Sequence, residues 1–373
     1  MATASQRYFA FDLGKKDYEH LKTTFSVTFQ IYVLLAVIIV ILAETVGLWF
    51  VTHKLVIPSE RLTAAIWIYQ AAVVSFLLTL ITTPYMASII AHENMNIYAY
   101  VSIVEAVLKL GIVFLLQVLD ADKLILYGLM LAAVALINTT IYRMYCKRHY
   151  KECKFQYIKD KALFKELVSY SGWNLFGHAS TVLKNQGISI VINLFFGSVV
   201  NAAQGIATHI RVAVTSFSNN FLQAVKPQIV KLYASNDFKS LWNTVFWGCK
   251  TSYFLILIAV FPLYDNIEFV LSLWLKNVPK YTVIFVKLLF IETLIESVSI
   301  PMATVNQATG KIVLYQVIIG SIVIINLPLS YLLLRLGFYP YIVYVVGIVL
   351  MFGLVIVRLL FLRRINEFSL TKI

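Results

Sequence analysis

Residues 84–101, PYMASIIAHENMNIYAYV, have a counterpart in residues 301–318, PMATVNQATGKIVLYQVI. The identities at this offset of 217 residues are Pro84 with Pro301, Ala91 with Ala308 and Tyr98 with Tyr315. A second pair of segments, LGKKDYEHL at residues 13–21 and YASNDFKSL at residues 233–241, has an offset of 220. Two nearly equal offsets predict that the chain is built from two parallel, pseudo-symmetric halves.

The sequence around these segments is strongly apolar. Of its 373 residues, 60% are hydrophobic and 13% are charged, whereas soluble domains have about 25% charged residues. A helix needs about twenty apolar residues to cross a bilayer. Ten stretches meet this requirement, at residues 23–51, 64–90, 97–119, 123–145, 167–196, 202–225, 241–264, 281–305, 312–334 and 339–362. We therefore predict an all-α integral membrane protein with about ten complete spanning helices.

The net charge of +13 is distributed unevenly between the two sides of the membrane. With residues 14–22 placed in the cytoplasm, 20 basic residues fall on the cytoplasmic side, Lys226 and Arg358 among them, and 6 fall outside. This is the positive-inside pattern. It predicts a multi-pass membrane protein of the inner-membrane type with a cytoplasmic C-terminus. It also accounts for most of the basic excess without a nucleic-acid partner.

The repeat also suggests that the first half is incomplete. The second half begins near Lys165, about 72 residues before Asp237, but only 16 residues precede Asp17. We expect that a first helix and most of a second are missing and that a complete half has six helices. The alternative is a genuinely asymmetric protein of ten helices. The predicted domains are an incomplete N-terminal lobe (1–145), a basic cytoplasmic linker (146–166) and a six-helix C-terminal lobe (167–373).

Two segments at corresponding helix exits, SQRYFAFDLGKKD at residues 5–17 and KPQIVKLYASND at residues 226–237, carry a family resemblance. With the two-half architecture, they resemble the multidrug/oligosaccharidyl-lipid/polysaccharide exporter superfamily, and within it the polysaccharide (O-antigen type) flippases. The chain departs from the family in lacking the first helix and much of the second, which line the central cavity of such proteins.

This resemblance implies alternating access between two lobes, without a cofactor other than a coupling ion, H⁺ or Na⁺. The implied cargo is an undecaprenyl-pyrophosphate-linked oligosaccharide, moved from the cytoplasmic to the periplasmic leaflet. The implied partners are membrane lipid, this lipid-linked glycan and other polysaccharide-assembly proteins.

Two predicted helices carry polar stripes with helical spacing. Their members are Asn174, His178, Thr181, Asn185 and Ser189 on one helix, and Gln204, Thr208, Arg211, Thr215 and Asn219 on the next. Such stripes should line a hydrated cavity, although helix–helix hydrogen bonding alone could explain the neutral members. A pyrophosphate group needs cationic donors. The predicted substrate-binding residues are Arg211, Lys184, Asn174, His178, Asn185 and Lys287.

Carboxylates within predicted helices are candidates for ion coupling. Glu292 and Glu296 share a helix face and would repel each other unless a proton or a cation lies between them. They could instead hold Lys287 and the cavity bases. Glu105 is a third candidate, although its position four residues before Lys109 also fits a purely structural ion pair. His178 could relay protons or simply form a hydrogen bond.

The charge count separates the two leading functional hypotheses. Organic cations would favour acidic cavity walls, whereas a pyrophosphate cargo would favour basic ones. Five basic and four acidic residues are assigned to the membrane interior, which slightly favours a flippase over a cation-coupled multidrug exporter. We expect no enzyme: the sequence offers no catalytic residues, and Cys146, Cys153 and His149 do not make a metal site.

Overall fold

The apolar stretches form helices throughout the described parts of the chain. The computed structural model describes residues 2–53, 61–118, 122–363 and 365, and every regular element in these ranges is helical. The chain divides into two compact units, Met1–Val168 and Ser169–Ile373. The predicted boundaries of the lobes and linker stay a prediction. Leu119, in a predicted span, and the charged residues Lys54, Arg364 and Lys372 lie outside the described ranges.

The first unit contains six α-helices and the start of a seventh. They are α1 (Ala2–Lys15), α2 (Tyr18–Leu42), α3 (Leu48–His53), α4 (Leu62–Ala91), α5 (Met95–Val118), α6 (Lys123–His149) and the beginning of α7 (Lys161–Ala234). A π-helical turn, Ala43–Gly47, joins α2 to α3. The Tyr69 hydroxyl donates to the Ala43 carbonyl at 2.7 Å. Gly47 leaves room for this hydroxyl: a Cβ there would lie 2.1 Å from it, so Tyr69 would have to shift.

Aromatic packing and short polar bonds hold the first unit together. The Phe25 ring lies 5.9 Å from the Phe9 ring and 5.5 Å from the Tyr85 ring, which ties α1, α2 and α4 to one another. Between α4 and α6, Thr82 donates to Thr139 at 2.7 Å, so two hydroxyls satisfy each other in an apolar setting.

The second unit contains the rest of α7 and five further helices. These are α8 (Phe238–Trp274), α9 (Thr282–Ala308), α10 (Val313–Ile324), α11 (Asn326–Arg335) and α12 (Ile342–Leu362). Its largest apolar core joins α7, α8, α9 and α12 around the fully buried Phe285 and Phe290. α7 is broken at Gly197, where φ is 78° and ψ is −173°. Only glycine adopts this combination readily, so the chain changes direction there.

The number of spans agrees with the prediction. Eight helices in the described ranges are long and apolar enough to cross a membrane. One of them, α7, carries two predicted stretches, 167–196 and 202–225, on either side of Gly197, so these eight helices contain nine of the ten predicted stretches. The tenth stretch, 281–305, corresponds to α9, whose three charged residues make it less apolar. The all-α architecture with about ten spanning helices is therefore confirmed, and the chain is a multi-pass membrane protein.

The turn between α1 and α2 recurs between α7 and α8. In each turn, a residue with positive φ, Lys16 at 59° or Asn236 at 58°, precedes the aspartate that caps the next helix. Two backbone hydrogen bonds also recur. Lys16 N donates to Leu13 O and Asp17 N to Asp12 O in the first turn, and Asn236 N donates to Tyr233 O and Asp237 N to Leu232 O in the second. The second sequence repeat is thus a repeat of backbone structure.

The turn between α4 and α5 likewise recurs between α9 and α10. Pro84 and Pro301 lie inside the preceding helices, and a left-handed residue follows each helix, Glu93 at 63° or Gly310 at 77°. Three backbone hydrogen bonds of the first turn have a counterpart in the second. In the first turn they join His92 N to Ser88 O, Glu93 N to Ile90 O and Met95 N to Glu93 O. In the second turn, in the same order, they join Thr309 N to Val305 O, Gly310 N to Gln307 O and Ile312 N to Gly310 O. Both sequence repeats are therefore present in the backbone.

The cap at Asp237 gives a pH-dependent prediction. Its carboxylate accepts from Ser240 N at 3.1 Å, and the hydrogen bonds from Ser240 lower the pKa of Asp237 below its ordinary value. A lowered folded-state pKa stabilises the fold above the unfolded-state pKa, and this contribution is lost as the pH falls through the folded-state value. We expect Asp237→Ala to lower the thermal unfolding midpoint at pH 7, with the difference from wild type shrinking below about pH 4.

Asp237→Asn is the matched control, because asparagine caps helices nearly as well without a titrating group. It should keep most of the midpoint at pH 7. An equal deficit of Asp237→Ala at pH 7 and pH 3 would contradict the assigned role of the carboxylate.

Candidate functional site

The polar residues of the second unit converge on three adjoining cavities that share Arg211. Their volumes are about 240, 150 and 300 Å³. Every member of the two polar stripes lines at least one of them: Asn174, His178, Thr181, Asn185, Ser189, Gln204, Thr208, Arg211, Thr215 and Asn219. The two stripes of α7 therefore face the same hydratable space. Whether these residues bind substrate stays a prediction.

Four charged side chains from α7 and α9 form an ion network in this space. Lys184 Nζ lies 2.7 Å from Glu292 Oε1, and Arg211 Nη2 lies 2.5 Å from Glu296 Oε2. A longer contact of 3.9 Å joins Arg211 Nη1 to Glu292 Oε2. The Glu292 side chain is only 2% exposed, whereas that of Glu296 is 33% exposed. Glu292 is thus the buried centre of the network and Glu296 its accessible end.

The break at Gly197 makes this network possible. Lys184 and Arg211 are 27 residues apart, a distance of about 40 Å along an uninterrupted α-helix. Both nevertheless contact the same carboxylate, because α7 changes direction at Gly197. A further bond near the break, from Ser189 Oγ to Asn201 Oδ1 at 2.8 Å, ties the two parts of α7 together.

The two glutamates hold the cavity bases, not Lys287. Glu292 and Glu296 are one turn apart on α9, and their bonds to Lys184 and Arg211 relieve the repulsion expected from the sequence. Lys287 lies elsewhere: its Nζ is 5.2 Å from the centre of the Tyr264 ring. Lys287 lines none of the three cavities, so the structure does not bring it into the site.

Asn174 takes part in a neutral hydrogen-bonded group beside His178. Gln316 Nε2 donates to Asn174 Oδ1 at 3.0 Å, and Asn174 Nδ2 donates to the Tyr170 carbonyl at 3.3 Å. Gly177 provides the space for this arrangement, since a Cβ there would collide with the Gln316 amide. Gln316, on α10, was not singled out in the sequence analysis.

Substituting Gly177 tests this packing. Gly177→Ala should push Gln316 away from Asn174 and cost about 1–3 kcal/mol in the free energy of unfolding, the usual cost of overpacking. Gly172→Ala is the matched control, because the same helix has nothing within 4 Å of a Cβ at Gly172. The control should be neutral or slightly stabilising. Thermal unfolding of both variants in detergent measures the difference, and equal midpoints would contradict the prediction.

Arg358 is a site residue that the sequence analysis missed. It was counted with the cytoplasmic charges, but it lies on α12 within the predicted span 339–362 and lines the cavity of about 300 Å³. Its Nη1 donates to the Ser299 carbonyl at 3.1 Å and to the Ser299 hydroxyl. Its position four residues before the end of the predicted span 339–362 was the feature of the sequence that indicated this placement.

The first unit has a separate cavity of about 530 Å³ between α4, α5 and α6. Glu105 and Lys109 line it and form an ion pair at 2.6 Å, with the one-turn spacing expected from the sequence. Asn138 also lines this cavity, and its Oδ1 is buried without a hydrogen-bond partner. The pairing accounts for both charges locally, and a role of Glu105 in ion coupling stays a prediction.

No cluster of three or more His, Cys, Asp or Glu side chains suited to a metal occurs among the described residues. Cys146, Cys153 and Cys249 are buried free thiols. The charged groups of the second unit are therefore the chemically distinctive feature of the described chain.

The fold is similar to that of solved transporters. An outward-facing multidrug resistance MATE family transporter of the MOP superfamily is 12% identical, with a TM-score of 0.76 over 97% of this chain and 82% of its own. A crystal structure of a MATE mutant is 11% identical, with a TM-score of 0.84 over 97% and 82% of the two chains. A MATE transporter of Vibrio cholerae is 15% identical, with a TM-score of 0.72 over 98% and 84%. At these identities the similarity establishes the fold.

Comparison with curated proteins gave no match. A family model described as "Polysaccharide biosynthesis protein" matches residues 13–233. This match includes α2 to α6 and nearly all of α7, with Lys184 and Arg211. Because it extends over more than half of the chain, the protein belongs to the polysaccharide biosynthesis protein family and has the fold of the MOP-superfamily transporters.

Proposed function

We propose that this protein transports a lipid-linked oligosaccharide across the bacterial inner membrane for surface polysaccharide synthesis. The proposed cargo is an undecaprenyl-pyrophosphate-linked glycan, moved by alternating access and driven by H⁺ or Na⁺. The C-terminus is cytoplasmic, the partners are membrane lipid and other polysaccharide-assembly proteins, and the chain performs no catalysis. Membership of the polysaccharide biosynthesis family supports the choice of a glycan cargo.

The observation that carries this proposal is the charge of the cavities in the second unit. Three cations, Lys184, Arg211 and Arg358, line them together with two carboxylates, Glu292 and Glu296. Charges in a membrane-spanning region cost at least about 2.5 kcal/mol each on insertion scales, so five of them need a functional reason. With His178 and His209, which also line these cavities, counted as neutral, the sum is +1, which suits an anionic cargo better than a cationic one.

The network suggests how an anion would be received. A guanidinium can bind phosphate oxygens through two parallel hydrogen bonds, as it binds a carboxylate. We propose that a pyrophosphate oxygen replaces the accessible carboxylate of Glu296 on Arg211, while the buried Glu292 retains Lys184. The released Glu296 would then take up a proton or sodium ion. Cargo binding and ion binding would thereby be coupled through one guanidinium, with Glu292 and Glu105 as further candidates for the ion.

A multidrug exporter remains the second candidate, because the similar solved folds include multidrug transporters. The two functions separate in a strain that lacks the gene. For a flippase, surface polysaccharide should disappear and the lipid-linked intermediate should accumulate in the cytoplasmic leaflet, with both defects reversed by the intact gene. Dye efflux should not change. Unaltered surface polysaccharide together with reduced efflux of cationic dyes would overturn the flippase proposal.

A further inference from the structure

Arg358 differs from the other two cavity cations in having no carboxylate partner. Lys184 and Arg211 are neutralised by Glu292 and Glu296. Among the residues that the structure describes, no carboxylate lies within 4.0 Å of the Arg358 guanidinium. The net charge of +1 of the cavity lining is therefore the uncompensated charge of Arg358.

The surroundings of Arg358 are neutral and poor in acceptors. Its described hydrogen bonds run from Nη1 to the carbonyl and hydroxyl of Ser299, and its buried Nε has no well-formed hydrogen bond to any described residue. The Tyr315 hydroxyl lines the same cavity beside the Arg358 guanidinium, and among the described residues it too makes no well-formed hydrogen bond. A neighbouring guanidinium and hydroxyl with hydrogen-bonding capacity left over are costly in a membrane cavity unless a ligand satisfies them.

The cavity of about 300 Å³ connects this pair with the ion network. Arg211 and Glu296 line it together with Arg358, Tyr315 and His178. A ligand bound at Arg211 could therefore reach the Arg358 donors through the same space. The two guanidinium groups come from different helices, α7 and α12.

We propose that Arg358, with Tyr315, forms a second oxyanion subsite that binds a phosphoryl or carboxylate group of the cargo. The inference rests on the proposed transport of an anionic lipid-linked glycan and adds a residue that determines specificity. The group is either the second phosphate of the carrier or the carboxylate of an acidic sugar, since both present oxygens to the same donors. Arg211 binds by exchange with Glu296, whereas Arg358 needs no exchange.

The test measures binding of two probes to the purified full chain in detergent. Farnesyl pyrophosphate represents the carrier, and a glucuronate-containing oligosaccharide represents the acidic sugar. Losing a charge-assisted hydrogen bond should weaken binding about tenfold or more, so Arg358→Gln should lose affinity for one of these probes. Arg358→Lys should recover most of the affinity, because it restores the charge. The probe that responds identifies the source of the oxyanion.

Arg335→Gln is the matched control, since Arg335 is exposed at the end of α11 and lines none of the four cavities. It should bind both probes like wild type. A purely structural role of Arg358 predicts a lower unfolding midpoint with unchanged affinity in the folded fraction, and this result would overturn the subsite. Wild-type affinity of Arg358→Gln for both probes, with Arg211→Gln impaired, would overturn the subsite but leave the proposed function standing. Failure of the wild type to bind either probe would overturn both.

Discussion

The Glu292→Gln variant should lose about 3–5 kcal/mol of its free energy of unfolding, the usual result of removing one partner from a buried ion pair. Glu292 is almost fully buried and accepts from Lys184 at 2.7 Å. Without the charge of Glu292, the largely buried ammonium group of Lys184 would lose its only described carboxylate partner. Thermal unfolding in detergent, together with the yield of folded protein in the membrane, measures the loss.

A double variant separates the ion pair from other roles of Glu292. Lys184→Met should also destabilise the protein, since it leaves the glutamate unpaired. Lys184→Met combined with Glu292→Gln removes both charges and should be more stable than either single variant, because residues in direct contact are not additive. Additive losses in the double variant would show that the pair does not contribute as a unit. Export should remain impaired in the double variant, since it lacks Lys184, a predicted cargo contact, and the charge of Glu292 beside Arg211.

The Arg211→Ala variant should abolish glycan export while the protein remains folded and abundant. The partner that it leaves behind, Glu296, is 33% exposed and can be hydrated, whereas Glu292 keeps Lys184. The structural cost should therefore be smaller than that of Glu292→Gln. Export in the complemented deletion strain, measured as surface polysaccharide per transporter molecule, should fall at least about tenfold, the expected effect of losing a charge-assisted contact with the cargo.

Arg335→Ala controls for the loss of an arginine outside the cavities and should export at the wild-type rate. Arg211→Lys should export at an intermediate rate, since lysine keeps the charge but not the two-pronged geometry. Wild-type export by Arg211→Ala would exclude Arg211 as a cargo contact and would remove the main chemical argument for a pyrophosphate cargo.

The helices were predictable because the bilayer imposes a simple length requirement on apolar runs. All ten predicted stretches are helical where the structure describes them, apart from one to three residues at the start of three stretches and Ile325 between α10 and α11. The repeat was also visible, because Pro84 and Pro301 and the aspartates at 17 and 237 mark turns with a specific backbone geometry. Local constraints of this kind depend only on residues that are close together in the chain, so a single sequence is enough to recognise them.

The ion pairs were not predictable from one sequence. The sequence placed Glu292 and Glu296 on one helix face and offered Lys287 and the cavity bases as partners. The actual partner of Glu292, Lys184, is 108 residues distant, and its position depends on the break at Gly197. Arg358 was misplaced for a different reason. The charge rule assigns basic residues near a helix end to the loop, whereas packing of α12 against α9 places Arg358 beside Ser299.

The turns that follow α4 and α9 have a consequence for the ancestry of the chain. They preserve the same three backbone hydrogen bonds, although one places Glu93 and the other Gly310 in the left-handed conformation. Glutamate is a poor choice there, so side-chain preference did not create the likeness independently in each half. Descent from a single duplicated gene segment explains it more simply. The path of the main chain would then be the older inheritance, and the charges that distinguish the cavities of one unit from those of the other would be the later acquisition.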